Sequence, residues 1–384
     1  MFDLKLSRIV GESVDRLLSA QVFMSGGAAA LTDRHITREL YEAARNLQEE
    51  PLTFLAARAL LERVSPRSTV LVCTGFCDPP SMIDEADGPI GSVTLARSLC
   101  VALDATPVFV TEVSNMDRMS ALAKAAGLDV VDFPLARSTP FKAAIAPLPI
   151  DPTRAAKEAH RLFEETQPVA LITIEKPSPN FAGAYHTGVG LNVSDVVGKV
   201  EFIVNEAHLR GVITIGLGDG GNEVGMGKIH DSCVEILPTG KQCMCSCESG
   251  IAAALSTDIL VVSAIANWAS YGVEACLAAA TGMPEAIHSI ADERRITETA
   301  AQLGFIDPTT GLANGWVDGT PPICSESILE LLRQMVELRL TRQRTGALMN
   351  FPKRWIERGD AQETIQLWSE ELGRYEDQYF SDHK

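Results

Sequence analysis

One stretch of the chain combines dense glycine with three oxygen-bearing side chains. It is GVITIGLGDGGNEVGMGK, residues 211–228, and six glycines lie among the twelve residues 216–227. Glycine at this density indicates that the backbone itself approaches a ligand closely. The side chains are Asp219, Asn222 and Glu223, whose oxygens suit a hard divalent cation or a polar substrate. We predict a binding loop rather than a plain turn, since a turn needs only one or two glycines.

The same stretch contains the GxGxxG spacing of dinucleotide-binding folds, at Gly216, Gly218 and Gly221. Glu235 also follows at about the distance that would let it hold a ribose. A dinucleotide fingerprint requires a helix that opens at the third glycine. Two further glycines just downstream would each destabilise that helix by about 1 kcal/mol relative to alanine. We therefore interpret the match as accidental and expect no nicotinamide cofactor.

Three further loops carry polar side chains directly after a predicted buried strand. The predicted strands are 69–74, 169–174 and 258–264, and the side chains that follow them are Glu85 and Asp87, Glu175, and Asn267. In parallel sheets, ligands bind just beyond the carboxyl ends of the strands. We therefore expect these residues to converge with the glycine-rich loop on one edge of the sheet.

The elements that must position these loops alternate between strand and helix. This alternation indicates an α/β fold with a doubly wound, mostly parallel sheet. We predict a catalytic core at residues 67–285, with a helical N-terminal extension at 1–66 and a mostly helical C-terminal extension at 286–384 that packs on the core. The first extension could cover the site or form a dimer surface, so a homo-oligomer is one expectation. Within the core we predict a strand at 128–133 and helices capped by Ser92 and Ser194.

Composition argues against several classes of partner. Fifty acidic residues against 33 basic ones give a formal net charge of −17, and no basic cluster stands out. Nucleic acid and anionic membrane surfaces are therefore not expected as partners. The apolar runs fall short of the ~20 residues needed to span a bilayer. The first residues contain acids and no uninterrupted apolar segment, so we predict no signal or transit peptide and expect a cytoplasmic location.

Nine cysteines, an odd number, occur in the chain. Their apolar surroundings favour small buried thiols in a reducing compartment. Cys243, Cys245 and Cys247 alternate with other residues, which in a strand would place all three thiols on one face. Zinc sites usually space paired ligands by two to four residues. We interpret these thiols as structural, with a redox or soft-metal role as the alternative.

Four stretches of the chain resemble the D-glutamate cyclase family, in the domain at the C-terminal end of its vertebrate mitochondrial members. They are EADGPIG (85–91), EKPSPNFAGAYHTGVG (175–190), GDGGNEVGMG (218–227) and NWASYG (267–272), in the family's order. The resemblance implies conversion of the small molecule D-glutamate to 5-oxo-D-proline with loss of water, with a divalent metal, Mn²⁺ or Mg²⁺. The chain departs from the family pattern at Lys176, Ser178, residues 187–190 and Ala269.

The polar residues of these loops are candidates for three roles. The predicted metal ligands are Asp219, Glu223, Glu175 and Asn222, since oxygen donors suit magnesium or manganese better than zinc. The predicted catalytic groups are His186 as general base, the one histidine in the four loops, together with Glu85 and Asp87. The predicted substrate-binding residues are Lys176, Asn180, Gly220, Gly221 and Asn267.

Two other classes of function remain open at this point. A metal-dependent phosphohydrolase acting on a small phosphorylated substrate would also use acids and a glycine-rich loop at a helix start. A sensor that binds an amino acid or a nucleotide without turnover would need similar polar loops.

Overall fold

The computed structural model describes residues 2–22, 31–32, 34–79, 82–345, 356–357, 359 and 361–382. The chain divides into two compact units, Met1–Val336 and Glu337–Lys384. The domain limits near residues 66 and 285 stay a prediction. Within the described ranges, no helix combines the length and the apolarity needed to cross a bilayer.

The larger unit is built on a seven-stranded parallel sheet, which confirms the predicted α/β class. Its strands are β1 (Thr69–Thr74), β4 (Thr106–Thr111), β5 (Asp129–Val130), β6 (Lys142–Pro147), β7 (Ala170–Ile174), β8 (Ile213–Gly218) and β9 (Ile259–Val262). A separate antiparallel pair is formed by β2 (Cys77–Asp78) and β3 (Ile83–Asp84). The three central strands, β4, β1 and β7, are buried along their whole length, which is typical of apolar, β-branched runs such as TVLVCT in β1.

α-Helices connect the strands and also form both ends of the chain. In the larger unit they are α1 (Leu4–Leu18), α2 (Ile36–Gln48), α3 (Leu52–Arg63), α4 (Pro89–Leu103), α5 (Met116–Ala125), α6 (Phe133–Ser138), α7 (Pro152–Thr166), α8 (Glu201–Leu209), α9 (His230–Ile236), α10 (Ala266–Thr281) and α11 (Ile290–Gln302). Then α12 covers Pro322–Thr345. In the smaller unit, α13 (Ala361–Asp382) contains no buried residue.

The strand order locates the edge at which a ligand should bind. It runs β5-β6-β4-β1-β7-β8-β9, so β4, β5 and β6 all lie on one side of β1, and the chain then crosses over to place β7, β8 and β9 on the other side. The direction of winding therefore reverses between β1 and β7, which are directly paired. In doubly wound sheets such a switch point opens a crevice at the carboxyl ends of the strands. The loops after β1 and β7 both leave the sheet at this crevice.

Helix α10 lies buried behind this crevice. Its residues from Ala266 to Ala280 are all buried, and most of them are small, which lets neighbouring helices approach. At the closest approach to α4, a Cβ on Gly91 would lie 2.7 Å from Oγ of Ser270. Only glycine fits at that position, and its lack of a side chain allows the start of α4 to pack directly against α10.

Three local predictions from the sequence are wrong. Helix α4 begins at Pro89 rather than at Ser92, because proline is favoured at the first helical position, where no N–H is needed. Helix α8 begins at Glu201 rather than at Ser194, whose hydroxyl instead accepts a hydrogen bond from another loop. The strand predicted at 128–133 is reduced to the two residues of β5, because α6, which has a proline in its first turn, begins at Phe133.

Candidate functional site

Three acidic side chains, from the loops after β1, β7 and β8, meet at the carboxyl edge of the sheet. One carboxylate oxygen from each of Asp87, Glu175 and Asp219 lies within 4.8 Å of the other two. We call these three residues the carboxylate cluster. Hard oxygen donors in such a group suit Mg²⁺ or Mn²⁺.

Backbone N–H groups hold Asp87 in position. Its Oδ1 accepts from the N–H of Asn267 at 2.7 Å, and its Oδ2 accepts from the N–H of Ala266 at 2.8 Å. The side chain therefore caps the N-terminus of α10. In return, Oδ1 of Asn267 accepts from the N–H groups of Gly88 at 2.9 Å and Gly91 at 2.6 Å. The amide of Asn267, predicted to bind substrate, thus joins the starts of two helices.

Two oxygens of the carboxylate cluster lack a hydrogen-bond partner within the described part of the chain. They are Oε2 of Glu175 and Oδ2 of Asp219. Glu175 also has a φ of 46°, a left-handed conformation that costs on the order of 1–3 kcal/mol in a residue other than glycine. Buried acceptors without partners destabilise a fold unless a ligand satisfies them. The unpaired oxygens therefore fit a bound cation.

Burial and mutual repulsion raise the pKa values in the carboxylate cluster. The pKa of Glu175 lies well above its usual range because burial disfavours its charged form and because Asp219 and Glu223 repel that charge. Burial raises the pKa of Asp87 to about 6, against the opposing effect of its backbone hydrogen bonds. Burial also raises the pKa of Asp219 well above its usual range. A divalent cation would offset this repulsion and favour the charged carboxylates.

Glu223 shapes the glycine-rich loop from inside. Its Oε1 accepts from the N–H of Gly220 at 2.6 Å and its Oε2 from the N–H of Gly221 at 2.8 Å. The loop returns so tightly over β8 that a Cβ on Gly216 would lie 2.4 Å from the carbonyl oxygen of Val224. Among the described residues, Glu223 is outside the group whose oxygens lie within 4.8 Å of one another. In this structure it braces the loop that presents the neighbouring Asp219.

The end of the glycine-rich loop bears on two further predictions. After Gly221 the chain forms only a short 3-10 helix, Gly227–Ile229, before the α-helix α9 begins at His230, so the GxGxxG spacing lacks the helix opening at its third glycine that a dinucleotide fingerprint requires. Asn222, a predicted metal ligand, donates from Nδ2 to the carbonyl oxygen of His186 at 2.9 Å. The backbone carbonyl oxygen of Asn222 accepts from the N–H of Ser178 at 2.9 Å. Asn222 therefore ties the loops after β7 and β8 together.

Lys176 is fully buried and forms an ion pair with Glu112. Its Nζ also donates to the carbonyl oxygen of Gly75 at 2.6 Å. Burial alone would lower the pKa of Lys176, but the hydrogen bond and attraction to Glu112, together with the nearby Cys73 and Asp84, outweigh burial and raise it. The ammonium group is thus engaged by protein groups here, and its predicted contact with the substrate's second carboxylate stays a prediction.

The remaining predicted residues differ in their distance from the carboxylate cluster. Glu85 is buried, and its charge contributes to the raised pKa of Glu175. Asn180 donates from Nδ2 to the carbonyl oxygen of Gly250 at 2.8 Å and so secures a different loop. His186, predicted as the general base, places its Nε2 3.2 Å from a cysteine sulfur. It belongs to a second polar group, apart from the three acids.

Asp318 is an acidic neighbour of the carboxylate cluster that the sequence analysis missed. Its side chain shares a hydrogen bond with Asp219, and burial raises its pKa well above the usual range. Asp307 shapes the loop by accepting from the N–H of Gly319 at 2.9 Å. The sequence feature that could have revealed Asp318 is the density of aspartate, asparagine and glycine in 307–319, because a long loop of this composition is often functional.

A cavity of about 810 Å³ opens near the carboxyl ends of β4 and β6. Its lining includes Glu112, Arg154 and Lys199, and none of the three acids of the carboxylate cluster. Nζ of Lys199 donates to the carbonyl oxygen of Val197 at 3.1 Å. The cavity and the carboxylate cluster are therefore separate features, and the unpaired oxygens belong to the cluster.

Comparison with known proteins identifies what the chain is similar to. The family profile described as D-glutamate cyclase-like, C-terminal, matches residues 20–333. This range includes the carboxylate cluster and Asp318. A segment of 108 residues is 27% identical to the human protein named D-glutamate cyclase, mitochondrial. That segment covers 28% of this chain and only 16% of the human protein.

Proposed function

The chain belongs to the D-glutamate cyclase-like family, and from this membership and its carboxylate cluster we propose that it converts D-glutamate to 5-oxo-D-proline with loss of water. The amine nitrogen attacks the side-chain carboxylate carbon, so that a C–N bond forms and a C–O bond breaks. The two protons that the ammonium group loses leave with that oxygen as water, so nothing is oxidised or reduced. The unpaired oxygens of Glu175 and Asp219 carry this proposal.

The donor set of the carboxylate cluster supports a divalent cation. Asp87, Glu175 and Asp219 would hold Mg²⁺ or Mn²⁺, and Asp318 adds a fourth acid beside Asp219. Such a cation, when bound, withdraws charge from a carboxylate and makes its carbon a better electrophile.

The chain's own groups must move protons from the nitrogen to the departing oxygen. Glu175 would offer one carboxylate oxygen to the cation, and its other oxygen can accept and then donate a proton. Buried Glu85 is a second acid close to it. We assign proton transfer to these acids rather than to His186, because Nε2 of His186 lies against sulfur atoms. Burial of Glu175 and Asp87 also limits water, which strengthens electrostatic interactions with a bound substrate.

A time course followed by proton NMR tests the proposal. The chain should convert D-glutamate to 5-oxo-D-proline in the presence of Mn²⁺ or Mg²⁺, and the Glu175→Gln variant should lose roughly 10²-fold or more of the rate. The exposed Glu298→Gln variant is the matched control. A parent chain that produces no 5-oxoproline from either enantiomer of glutamate, with either metal, would sink the cyclase proposal.

A further inference from the structure

A second polar group lies between the loop after β7 and the segment before β9. It consists of His186, Cys243, Cys245 and Cys247, and one ligand atom from each lies within 4.8 Å of all the others. We call these four residues the thiol–histidine cluster. The cyclisation proposed above uses none of them.

The distances in the thiol–histidine cluster approach those of a metal-centred tetrahedron. Nε2 of His186 lies 3.2 Å from Sγ of Cys245 and 3.5 Å from Sγ of Cys247. Sγ of Cys243 lies 3.5 Å from that of Cys245 and 3.3 Å from that of Cys247. Tetrahedral zinc with ordinary bond lengths would give edges of about 3.8 Å between sulfurs and about 3.6 Å between nitrogen and sulfur. Outward shifts of a few tenths of an ångström would reach this geometry.

The backbone of residues 243–247 is folded so that its thiols converge, and it does not form the strand in which the alternation would place them along one face. In a strand, Cys243 and Cys247 would lie about 13 Å apart along the chain. Bends and a turn replace the strand, and the two sulfurs approach to 3.3 Å. The C-x-C-x-C spacing, which is too short for the usual zinc pairs, works here because the chain curls around one point.

Hydrogen bonds hold the two halves of the thiol–histidine cluster together. The N–H of Met244 donates to the carbonyl oxygen of Gly190 at 3.0 Å, which links the cysteine segment to the loop of His186. Nδ2 of Asn180 lies 3.4 Å from Sγ of Cys247. Such N–H donors favour the thiolate form that a metal requires. The cluster is thus positioned by its surroundings rather than formed by chance contact on a surface.

We propose that the thiol–histidine cluster binds a structural Zn²⁺ ion through three thiolates and Nε2 of His186. Three sulfurs and one imidazole are a donor set that selects zinc over magnesium or manganese. All four positions of a tetrahedron are filled by protein groups, as in structural rather than catalytic zinc sites. The ion would cross-link the loop after β7 to the segment that precedes β9, and so stiffen the surroundings of the carboxylate cluster.

Zinc content and a cobalt spectrum test this proposal. The full chain, purified under reducing conditions from zinc-supplemented cells, should contain about one zinc per chain by mass spectrometry of metals. Cys245→Ser and Cys247→Ser should weaken zinc binding by more than about 100-fold. Cys324→Ser, a partly exposed cysteine outside the cluster, should retain the zinc of the parent. Cobalt added to metal-free parent should give the intense visible bands of tetrahedral thiolate coordination.

Further variants separate this site from the carboxylate cluster and from loss of folding. Asp219→Asn should retain the zinc, because it changes only the oxygen donors. His186→Cys keeps four ligands and should retain zinc, whereas His186→Ala should lose it. A parent that binds neither zinc nor cobalt would overturn the proposal. A disulfide among the three cysteines that persists after purification under reducing conditions would overturn it too. Zinc retained in Cys245→Ser would overturn it as well. None of these measurements depends on turnover of D-glutamate.

Discussion

Replacing Asp219 by asparagine should have opposite effects on stability with and without a divalent cation. The change keeps the shape of the side chain and removes one charge from a group whose oxygens lie within 4.8 Å of one another. At that separation, two carboxylates repel by about 3 kcal/mol at an effective dielectric constant of ~20. The raised pKa values of the cluster mean that part of this repulsion is already relieved by protonation. The expected gain without metal is therefore on the order of 1–2 kcal/mol.

The corresponding shift in melting temperature is small but measurable. Unfolding entropy of about 2.1 cal/mol/K per residue converts 1–2 kcal/mol into about 1–3 °C for a unit of this size. Mn²⁺ at about 100 times its Kd should stabilise the parent by about 2.7 kcal/mol, or about 4 °C, and the Asp219→Asn variant by much less. Scanning fluorimetry in metal-depleted buffer, with and without Mn²⁺, gives both values. Asp377→Asn, exposed on α13, is a control with the same change of charge.

Two outcomes would contradict this reasoning. Equal stabilisation of the parent and Asp219→Asn by Mn²⁺ would place the cation elsewhere. A variant that melts below the parent in metal-depleted buffer would mean that the hydrogen bond of Asp219 outweighs the repulsion.

Two further predictions concern buried ion pairs. Burial lowers the pKa of His288, but Glu274 and Glu293 outweigh burial and raise it to about 9. These two contacts should therefore contribute up to about 3 kcal/mol to the free energy of unfolding below pH 6.5, and this contribution should be lost as the pH rises through 9. Urea unfolding at several pH values should show a weaker dependence of stability on pH in His288→Gln than in the parent. Lys176→Met should destabilise the chain by about 3–5 kcal/mol because it leaves Glu112 buried without its partner. Adding Glu112→Gln should recover part of that loss in the same assay, and no recovery would assign the cost to packing.

The fold and the edge that carries the site were predictable because both depend on short-range patterns. Alternation of strands and helices is visible within windows of about ten residues, and each polar loop follows its strand directly in the sequence. Glu175 comes one residue after the end of β7, and Asp219 one residue after the end of β8. Carboxyl ends of parallel strands share an edge whatever the strand order is. For that reason Asp87, Glu175 and Asp219 could be expected together before the topology was known.

Contacts that depend on strand order or on long helical connections could not be predicted in the same way. Lys176 meets Glu112 because β1 lies between β4 and β7 in the sheet, and nothing local to either residue reveals this order. Asp318 reaches Asp219 only after three α-helices, the strand β9 and a long loop. Likewise, β6 was missed because KAAIAP is poor in the β-branched residues that indicate a strand.

Asn222 connects the two polar groups of the molecule. Its Nδ2 donates to the carbonyl oxygen of His186 in the thiol–histidine cluster, and the next residue, Glu223, braces the loop that presents Asp219. A few hydrogen-bonded steps therefore separate the proposed zinc ligands from the carboxylate cluster. The donor chemistry nevertheless keeps the two apart, since thiolates and imidazole select zinc whereas carboxylates favour magnesium or manganese. Zinc content and manganese-dependent stability thus measure different sites in one chain, and either proposal can fail while the other stands.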